Sequence, residues 1–539
     1  MKNKNGENRD KYDVIIIGSG ISGLTAASIF SQLYGKKVLL TERHGKIGGF
    51  THTFKRLGKY EWDVGLHYVG GMQKGQMTRA IFDYITAGKV KWSKMPDPYD
   101  VFIYPDIIFK LREGENNFKN DLIKLFPDEK KPIIQYFKDM KRVVRRHRRA
   151  SVAEILPSSL NILAFLLRIP GRKLARSITK DYFDRYFSDE KLKAILASQW
   201  GDHGLPPGMS TFFIHSLIVQ HYIDGGYFPV GGSRMIAESI VPLIEEKGGT
   251  VVTRNNVEKI LIENDRAVGI SSLEKRGEDH QQRKYFADII VSAVGVYTTY
   301  KKLVDSTQTE HLKNEVANLP PGIANVTLFI GLKNDPDNLG WNGENYWIYD
   351  SLDHDKIFER KNDLLKGQAH AVYVSFPSKK NPEAQSHTME IIAFIDYEPF
   401  KKWADQPVKK RDESYQQVKQ TITEAMIGLV EKYFPGFKNL IDYAELSTPL
   451  TTEHYTGHYQ GNIYGIPAVP KRYDLDVINI RSPIKNLYLT GADTSGHGIV
   501  GAMMSGVLTT AVIQGVPSHL FKIFGRAKKF SDTLVEPNE

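Results

Sequence analysis

Residues 12–23, YDVIIIGSGISG, decide how the rest of this chain is read. Val14 to Ile17 is an unbroken apolar run of the length expected for a buried parallel strand. It ends in Gly18-Ser19-Gly20-Ile21-Ser22-Gly23, which fits G-x-G-x-x-G, and LTAASIFSQLY then predicts a helix. Gly18 permits the tight strand-to-helix turn, Gly20 lets the backbone approach a pyrophosphate, and Gly23 lets helix and strand pack closely. The open amides at the helix start, around Ile21 and Ser22, face the phosphates. The next strand, KKVLLTE, closes a βαβ unit, and Glu42 at its end lies nineteen residues past Gly23. That is close to the ~20 expected for the acid that binds ribose hydroxyls. Strand, helix, second strand and acid in register predict a Rossmann-type dinucleotide site in an α/β fold, against a glycine-rich turn in an ordinary α/β domain.

The totals set bounds. A chain of 539 residues is too long for one compact core, so two or more domains are expected. The absence of cysteine removes disulfide exchange, Cys-ligated metals and a cysteinyl–flavin bond, and fits a reducing compartment. Residues 1–11 are polar and lack the apolar core of a secretory signal, and no apolar run approaches the ~20 residues of a membrane span. A cytoplasmic protein is expected. The net charge of +10 is local: residues 138–180 carry twelve Lys or Arg against Asp139 and Glu154, and the rest of the chain is neutral. Within this region Leu160 to Ile169 is almost wholly apolar. A run this short cannot cross a bilayer, but it could lie in the interface with the flanking cations on anionic headgroups, making the protein peripheral to a membrane. A buried helix beside a solvated basic face is the structural alternative. Nucleic acid is not expected, because no recognised binding motif accompanies the charge.

After Glu42 the chain reads Arg43-His44-Gly45-Lys46-Ile47-Gly48-Gly49, where the double glycine suggests a second close approach to a ligand. Then comes Trp62-Asp63-Val64-Gly65-Leu66-His67-Tyr68-Val69-Gly70. Strand, acid, short loop, Gly-Gly and aromatic segment in this order resemble FAD enzymes of the phytoene desaturase and amine oxidase type. The Asp-x-Gly-x-His-Tyr-x-Gly run most resembles the retinol saturase branch. Near the other end, Asn486 to Ala502 contains a second G-x-G-x-x-G at Gly496, Gly498 and Gly501. No second strand with a terminal acid follows, so a separate NAD(P) site is rejected.

The resemblance implies FAD, held by a domain that both chain ends complete: 11–88, 215–310 and 470–520. It implies a cofactor set of Gly18, Gly20, Ile21, Ser22, Gly23, Glu42, Arg43, Gly48, Gly49, Gly65, His67, Tyr68, Val257, Gly491, Asp493, Gly498, Ile499 and Val500. Val257 would hold the adenine with its backbone. Asp493 would reach the ribitol or pyrophosphate, and the following helix would aim its N-terminus at the flavin, where a positive helix end stabilises an anionic reduced ring.

Residues 89–214 read as a helical cap and membrane-docking insert. Residues 311–469 read as a substrate domain, in which IANVTLFIGL, HAVYVSF and MEIIAFID alternate with period two. That pattern predicts an antiparallel sheet with one wet face, and with the aromatic loop Trp341 to Trp347 it looks like the floor of a substrate chamber. TVVTRNNVEKILIEN reads as one strand, and residues 1–10 and 527–539 look disordered.

No His or Glu cluster has metal spacing. His67, Tyr68 and His497 are the expected catalytic proton handlers, with His454 and Tyr455 behind them. The reading is an FAD-dependent oxidoreductase that saturates, desaturates or isomerises a double bond of an apolar polyene lipid such as a retinoid or carotenoid. Two alternatives stand beside it: a soluble flavin amine oxidase, for which no flavin-facing lysine is identifiable, and a non-enzymatic FAD-binding protein on membranes. Oligomeric state is not legible.

Overall fold

The computed structural model describes residues 11–154, 172–277 and 279–534. The proposed interfacial run Leu160 to Ile169, the proposed disordered residues 1–10 and the last five residues lie outside the described residues. In chain order the strands are β1 Lys11–Ile17, β2 Val38–Thr41, β3 Thr53–Arg56, β4 Tyr60–Asp63, β5 Trp92–Lys94, β6 Asp100–Tyr104, β7 Ile107–Leu111, β8 Tyr227–Pro229, β9 Thr250–Val252, β10 Asn255–Glu263, β11 Arg266–Arg276, β12 Asp279–Ser292, β13 Ala324–Leu332, β14 Asn345–Tyr349, β15 Ala371–Ser375, β16 His387–Ile395, β17 Ile441–Ser447 and β18 Leu487–Leu489.

One seven-stranded sheet runs β10-β11-β12-β1-β2-β9, with β18 also on β12. β1 lies between β12 and β2, parallel to both. Its apolar run is buried on both faces. Val14 and Ile16 face the helices Ile21–Tyr34 and Gly498–Gln514, whereas Ile15 and Ile17 face a separate cluster with Ile260, Ile270 and Leu487. Residues 487–489 pair beside β12 and the helix Gly498–Gln514 packs on the first helix, so the two ends of the chain build one domain.

The second sheet runs β17-β13-β16-β15-β14-β6-β7. Five expectations change across the fold. β6 and β7, read as part of a cap spanning 89–214, join this sheet through the parallel pair β14–β6, and β5 pairs with β8. A hairpin's own sequence does not specify which sheet edge it extends. The predicted single strand at 250–264 breaks into β9 and β10 at Arg254, which takes a left-handed φ of 52°. The inner strands β13 and β14 have no wet face, every residue of each being buried, whereas exposed residues alternate along the edge strands β7 and β17. Val326, Leu328 and Ile330 meet the apolar core beneath, while Asn325, Thr327 and Phe329 line a cavity. Trp341 is core rather than floor, packed behind the sheet against Phe376, Phe434 and Phe437. At the C-terminus, helix Ser518–Ser531 replaces the expected disorder from 527. It buries Leu520, Ile523 and Ala527 at helical spacing, and Ser531 Oγ donates to Asp83 Oδ2 at 2.6 Å.

The helices within 115–154 and 172–222 cover the aromatic end of the second sheet. Two buried histidines fasten them. His215 Nε2 meets Tyr136 Oη at 2.8 Å. His354 receives Trp200 Nε1–H on Nδ1 at 2.9 Å, and its Nε2 lies 3.0 Å from Tyr104 Oη. Among the described residues no helix is long and apolar enough to cross a membrane.

Burial pushes His215 down to about 3 and His354 to about 4. Both stay neutral when folded and take up a proton when unfolded, so below about 6.5 the unfolded chain binds more protons and stability falls with pH. The urea midpoint is therefore expected to drop between pH 6.5 and 4, and His354→Gln should flatten that slope by roughly one proton. A slope that the substitution leaves unaltered would contradict the assignment.

Candidate functional site

A cavity of about 1290 Å³ separates the two sheets. This exceeds the ~300–1,000 Å³ of an ordinary small-molecule pocket and suits a dinucleotide with a second ligand. Gly18, Gly20, Ile21, Ser22, Glu42, Arg43, Gly48, Gly49, Gly65, His67, Val257, Gly491, Asp493, Gly498 and Ile499 all line it. Gly23, Tyr68 and Val500 do not. Gly23 is a packing position, where a Cβ would sit 2.2 Å from the Gly18 carbonyl oxygen. Val500 turns into the core of the first domain.

The glycine turn is built as the motif requires. Gly18 takes φ +96°, and its N–H donates to Thr41 O at 2.8 Å, which ties the turn to β2. Gly20 starts the helix with no side-chain cap, and a Cβ added there would meet nothing within 4 Å. The first amides of the helix are therefore open toward the cavity. Gly48 pairs with Gly20 in a parallel bridge, so the second glycine loop closes over the first. Ser19 links the parts: its N–H and Oγ–H donate to Glu42 Oε2 at 3.1 and 2.6 Å, and Gly48 N–H donates to Ser19 Oγ at 3.2 Å. Glu42 Oε1 accepts from His44 N–H at 2.8 Å.

At the far side, helix Gly498–Gln514 also begins without a side-chain cap, and the Gly498 position is open. Asn255 beside Val257 is buried with both side-chain polar atoms unpartnered. Two uncapped helix starts, two open glycines and an orphaned amide on one cavity fit a dinucleotide such as FAD.

Several predicted contacts take other partners. Asp493 ties two segments together: Oδ2 accepts from Val296 N–H and Oδ1 from Ile466 N–H, each at 2.9 Å. Arg43 turns its guanidinium to the end of the helix Pro449–Thr456, donating to the carbonyls of Glu453 and His454. This places His454 and Tyr455 beside Arg43 and His44, at the Glu42 end of the cavity. His497 is held by Ile466 O at 2.7 Å and lies 3.1 Å from Arg472 Nη1. Burial and the Arg472 charge push it down to about 3, so it stays neutral and braces the loop instead of delivering protons. Arg472, which lies outside every motif, is buried and donates to Ala492 O at 2.8 Å and Asp493 O at 2.9 Å.

His67 and Tyr68 diverge. His67 lines the cavity against the Tyr373 ring, with Nδ1 2.8 Å from Oε2 of the fully buried Glu390. Tyr68 points the other way, into a polar layer on the sheet. Its hydroxyl lies 2.9 Å from Asp202 Oδ2 and 3.2 Å from Asp100 Oδ2. Strand register aligns the layer, pairing Asp100 with Asn345 and Ser375 with Glu390. Lys380 Nζ crosses it, donating to Ser375 Oγ at 2.8 Å, to Asn345 Oδ1 and to the His67 carbonyl at 3.0 Å. Burial lowers Lys380 to about 7 and raises Asp100 to about 6. Parity along MEIIAFID, which puts Glu390 on the face of Ile392 and Phe394, was the available sequence signal for Glu390. Lys380 ends the one-turn helix Pro377–Lys380 and Asp202 ends the 3-10 helix Ser198–Asp202, and neither had one.

Beyond His67 the cavity wall is apolar and aromatic: Trp347, Tyr349, Tyr373, Ile392 and Phe394 project from three neighbouring strands, with Phe329 on a fourth. No group of His, Cys, Asp and Glu among the described residues could hold a metal ion.

The open Gly20 position makes the cradle testable. Gly20→Val should fold with a circular-dichroism melt near wild type, because a Cβ there has no protein atom within 4 Å. It should purify without bound dinucleotide, since that side chain fills the phosphate position. Retention of cofactor in the folded variant would move the site elsewhere.

The family model described as flavin containing amine oxidoreductase matches residues 21–514. The all-trans-retinol 13,14-reductase of Danio rerio is 33% identical, over 96% of this chain and 88% of the relative. Prolycopene isomerase 1 of an Oncidium hybrid cultivar is 23% identical, over 93% and 84%. The crystal structure of an oxidoreductase from Methanosarcina mazei superposes with a TM-score of 0.60 at 16% identity, covering 93% of this chain and all of that one, and so shares the fold. The chain belongs to the flavin containing amine oxidoreductase family, and it is an oxidoreductase with FAD as its cofactor.

Proposed function

We propose that this enzyme reduces a carbon–carbon double bond of a long apolar polyene, with all-trans-retinol as the first substrate to try. The observation that carries the reading is the aromatic, apolar wall formed by Trp347, Tyr373 and Phe394 beside His67. A polyene gains there by burying apolar surface and by stacking on aromatic rings. The near end-to-end similarity to a retinol reductase supports the reductive direction over isomerisation.

FAD, when bound, supplies hydride transfer. Gly18 to Gly23 and Gly48-Gly49 would hold its phosphates, and Asn255 with Val257 would meet the adenine. His67, braced by Glu390, borders the reacting end. The sheet and the helical layer exclude water from the polyene. Purified holoprotein, reduced anaerobically with dithionite, is expected to convert all-trans-retinol to a product two hydrogens heavier. Unchanged retinol, together with rapid oxidation of putrescine under air, would favour the amine oxidase alternative.

We further propose that the enzyme works as a peripheral protein, taking its substrate from a lipid surface through the basic helix Lys130–Glu154 and the apolar run that follows it. Lys138, Arg142, Arg145 and Arg149 are exposed on that helix. Cosedimentation with phosphatidylserine vesicles should fall as salt is raised, and should be lost when Arg145, Arg146, Arg148 and Arg149 are changed to Glu. Undiminished binding by that variant would refute membrane docking.

A further inference from the structure

The reduction proposed above needs a proton as well as a hydride, and of the histidines singled out in the sequence only His67 lines the cavity. His497 is neutral and committed to Ile466 O. Nδ1 of His67 faces Glu390. Asp202 is different: it lines the cavity and is partly exposed there, next to Trp200, Gly201 and Trp347. Behind it stands Tyr68, whose single hydroxyl hydrogen lies between Asp202 Oδ2 at 2.9 Å and Asp100 Oδ2 at 3.2 Å. One phenol hydrogen cannot satisfy two carboxylates at once.

The two acids have unequal surroundings. Asp100 Oδ1 accepts from Asn345 Nδ2 and Oδ2 from Gln199 Nε2, each at 2.9 Å, and Lys380 Nζ donates to Asn345 Oδ1 behind it. Asp202 has the Tyr68 hydroxyl. The negative charge therefore belongs on Asp100 and the proton on Asp202, because like charges sharing a buried site do not both ionise.

Resting on the polyene reading, we propose that Asp202 is the acid that protonates the substrate, with Tyr68 and Asp100 as positioning residues behind it. The step balances as follows. Hydride from reduced flavin forms a C–H bond at one carbon of the double bond. The π pair, displaced to the other carbon, takes the Asp202 proton and forms the second C–H bond. Flavin is left oxidised and Asp202 a carboxylate, and solvent protons restore Asp202 with the Tyr68 hydroxyl closing on Oδ2 meanwhile. Burial first, then the Asp100 charge, push Asp202 well above the usual carboxylate range, while the Tyr68 hydrogen bond pulls it down. The phenols of Tyr99, Tyr222, Tyr349, Tyr373 and Tyr464 also lie within reach of its charge.

The test uses the full-length holoprotein. Infrared difference spectra at pH 7.5 should show a protonated carboxylic C=O band, shifted in heavy water, that is lost in Asp202→Asn and kept in Asp100→Asn. A wild-type spectrum unaltered by Asp202→Asn overturns the proposal whether or not retinol is turned over, so its failure is separable from failure of the polyene reading. In turnover, Asp202→Asn should slow reduction of all-trans-retinol by about 10²–10⁴-fold, the range for loss of a general acid. Retinol affinity, read by quenching of protein fluorescence, should stay within about threefold, because the amide is isosteric with the acid it replaces. Tyr68→Phe should move the alkaline limb of the pH–rate profile upward, since losing its hydrogen bond raises Asp202. A rate for Asp202→Asn near wild type, or an alkaline limb that Tyr68→Phe leaves in place, counts against the assignment.

Discussion

The structure depends on backbone meeting backbone at the start of the first helix. A Cβ on Gly23 would lie 2.2 Å from the Gly18 carbonyl oxygen, and one on Gly506 would lie 2.5 Å from the Ser22 carbonyl oxygen. The first helix therefore rests directly on the turn that precedes it and on the helix Gly498–Gln514, backbone against backbone at these glycines. Gly501 repeats the arrangement, since a Cβ there would fall 2.3 Å from Gly496 O. These contacts draw two helix starts from opposite ends of the sequence onto one cavity. Their unpaired N–H groups and aligned dipoles make the region between them favourable for a phosphate-bearing ligand.

The second sheet converts a folding requirement into a site. Its lower face is ordinary core, with Val326, Leu328, Ile330 and Ile391 fully buried. The upper face carries aromatic rings at one end and a polar row through Asp100, Asn345, Ser375 and Glu390 at the other. Burying such a row is unfavourable unless its members satisfy one another. Lys380 does much of that, bridging Asn345, Ser375 and the His67 carbonyl. The segment that carries His67 is thereby pinned to the sheet.

The nucleotide domain was legible because each of its signals is local: an apolar run, a glycine spacing and an acid at the right distance. Glu390 was legible in principle from period-two parity. The rest depends on long-range placement. The β6–β7 hairpin has the same sequence pattern whichever sheet it extends, so its place in the second sheet follows from the β14–β6 pairing alone. The last helix was obscured by Lys528 and Lys529, whose charge on its polar face hid Leu520, Ile523 and Ala527 beneath. Tyr68 follows His67 beyond the end of β4, in a segment with no strand period to read, and its hydroxyl meets two acids that lie 32 and 134 residues away.

The most direct measurement is a crystal structure of the holoprotein. The account predicts the FAD pyrophosphate over Gly18 to Gly23, the adenine beside Val257 with the Asn255 side chain engaged, and the flavin ring between Gly48-Gly49 and the start of helix Gly498–Gln514. A flavin held outside that cavity, or a cavity that stays closed by its own side chains in protein saturated with FAD, would contradict it.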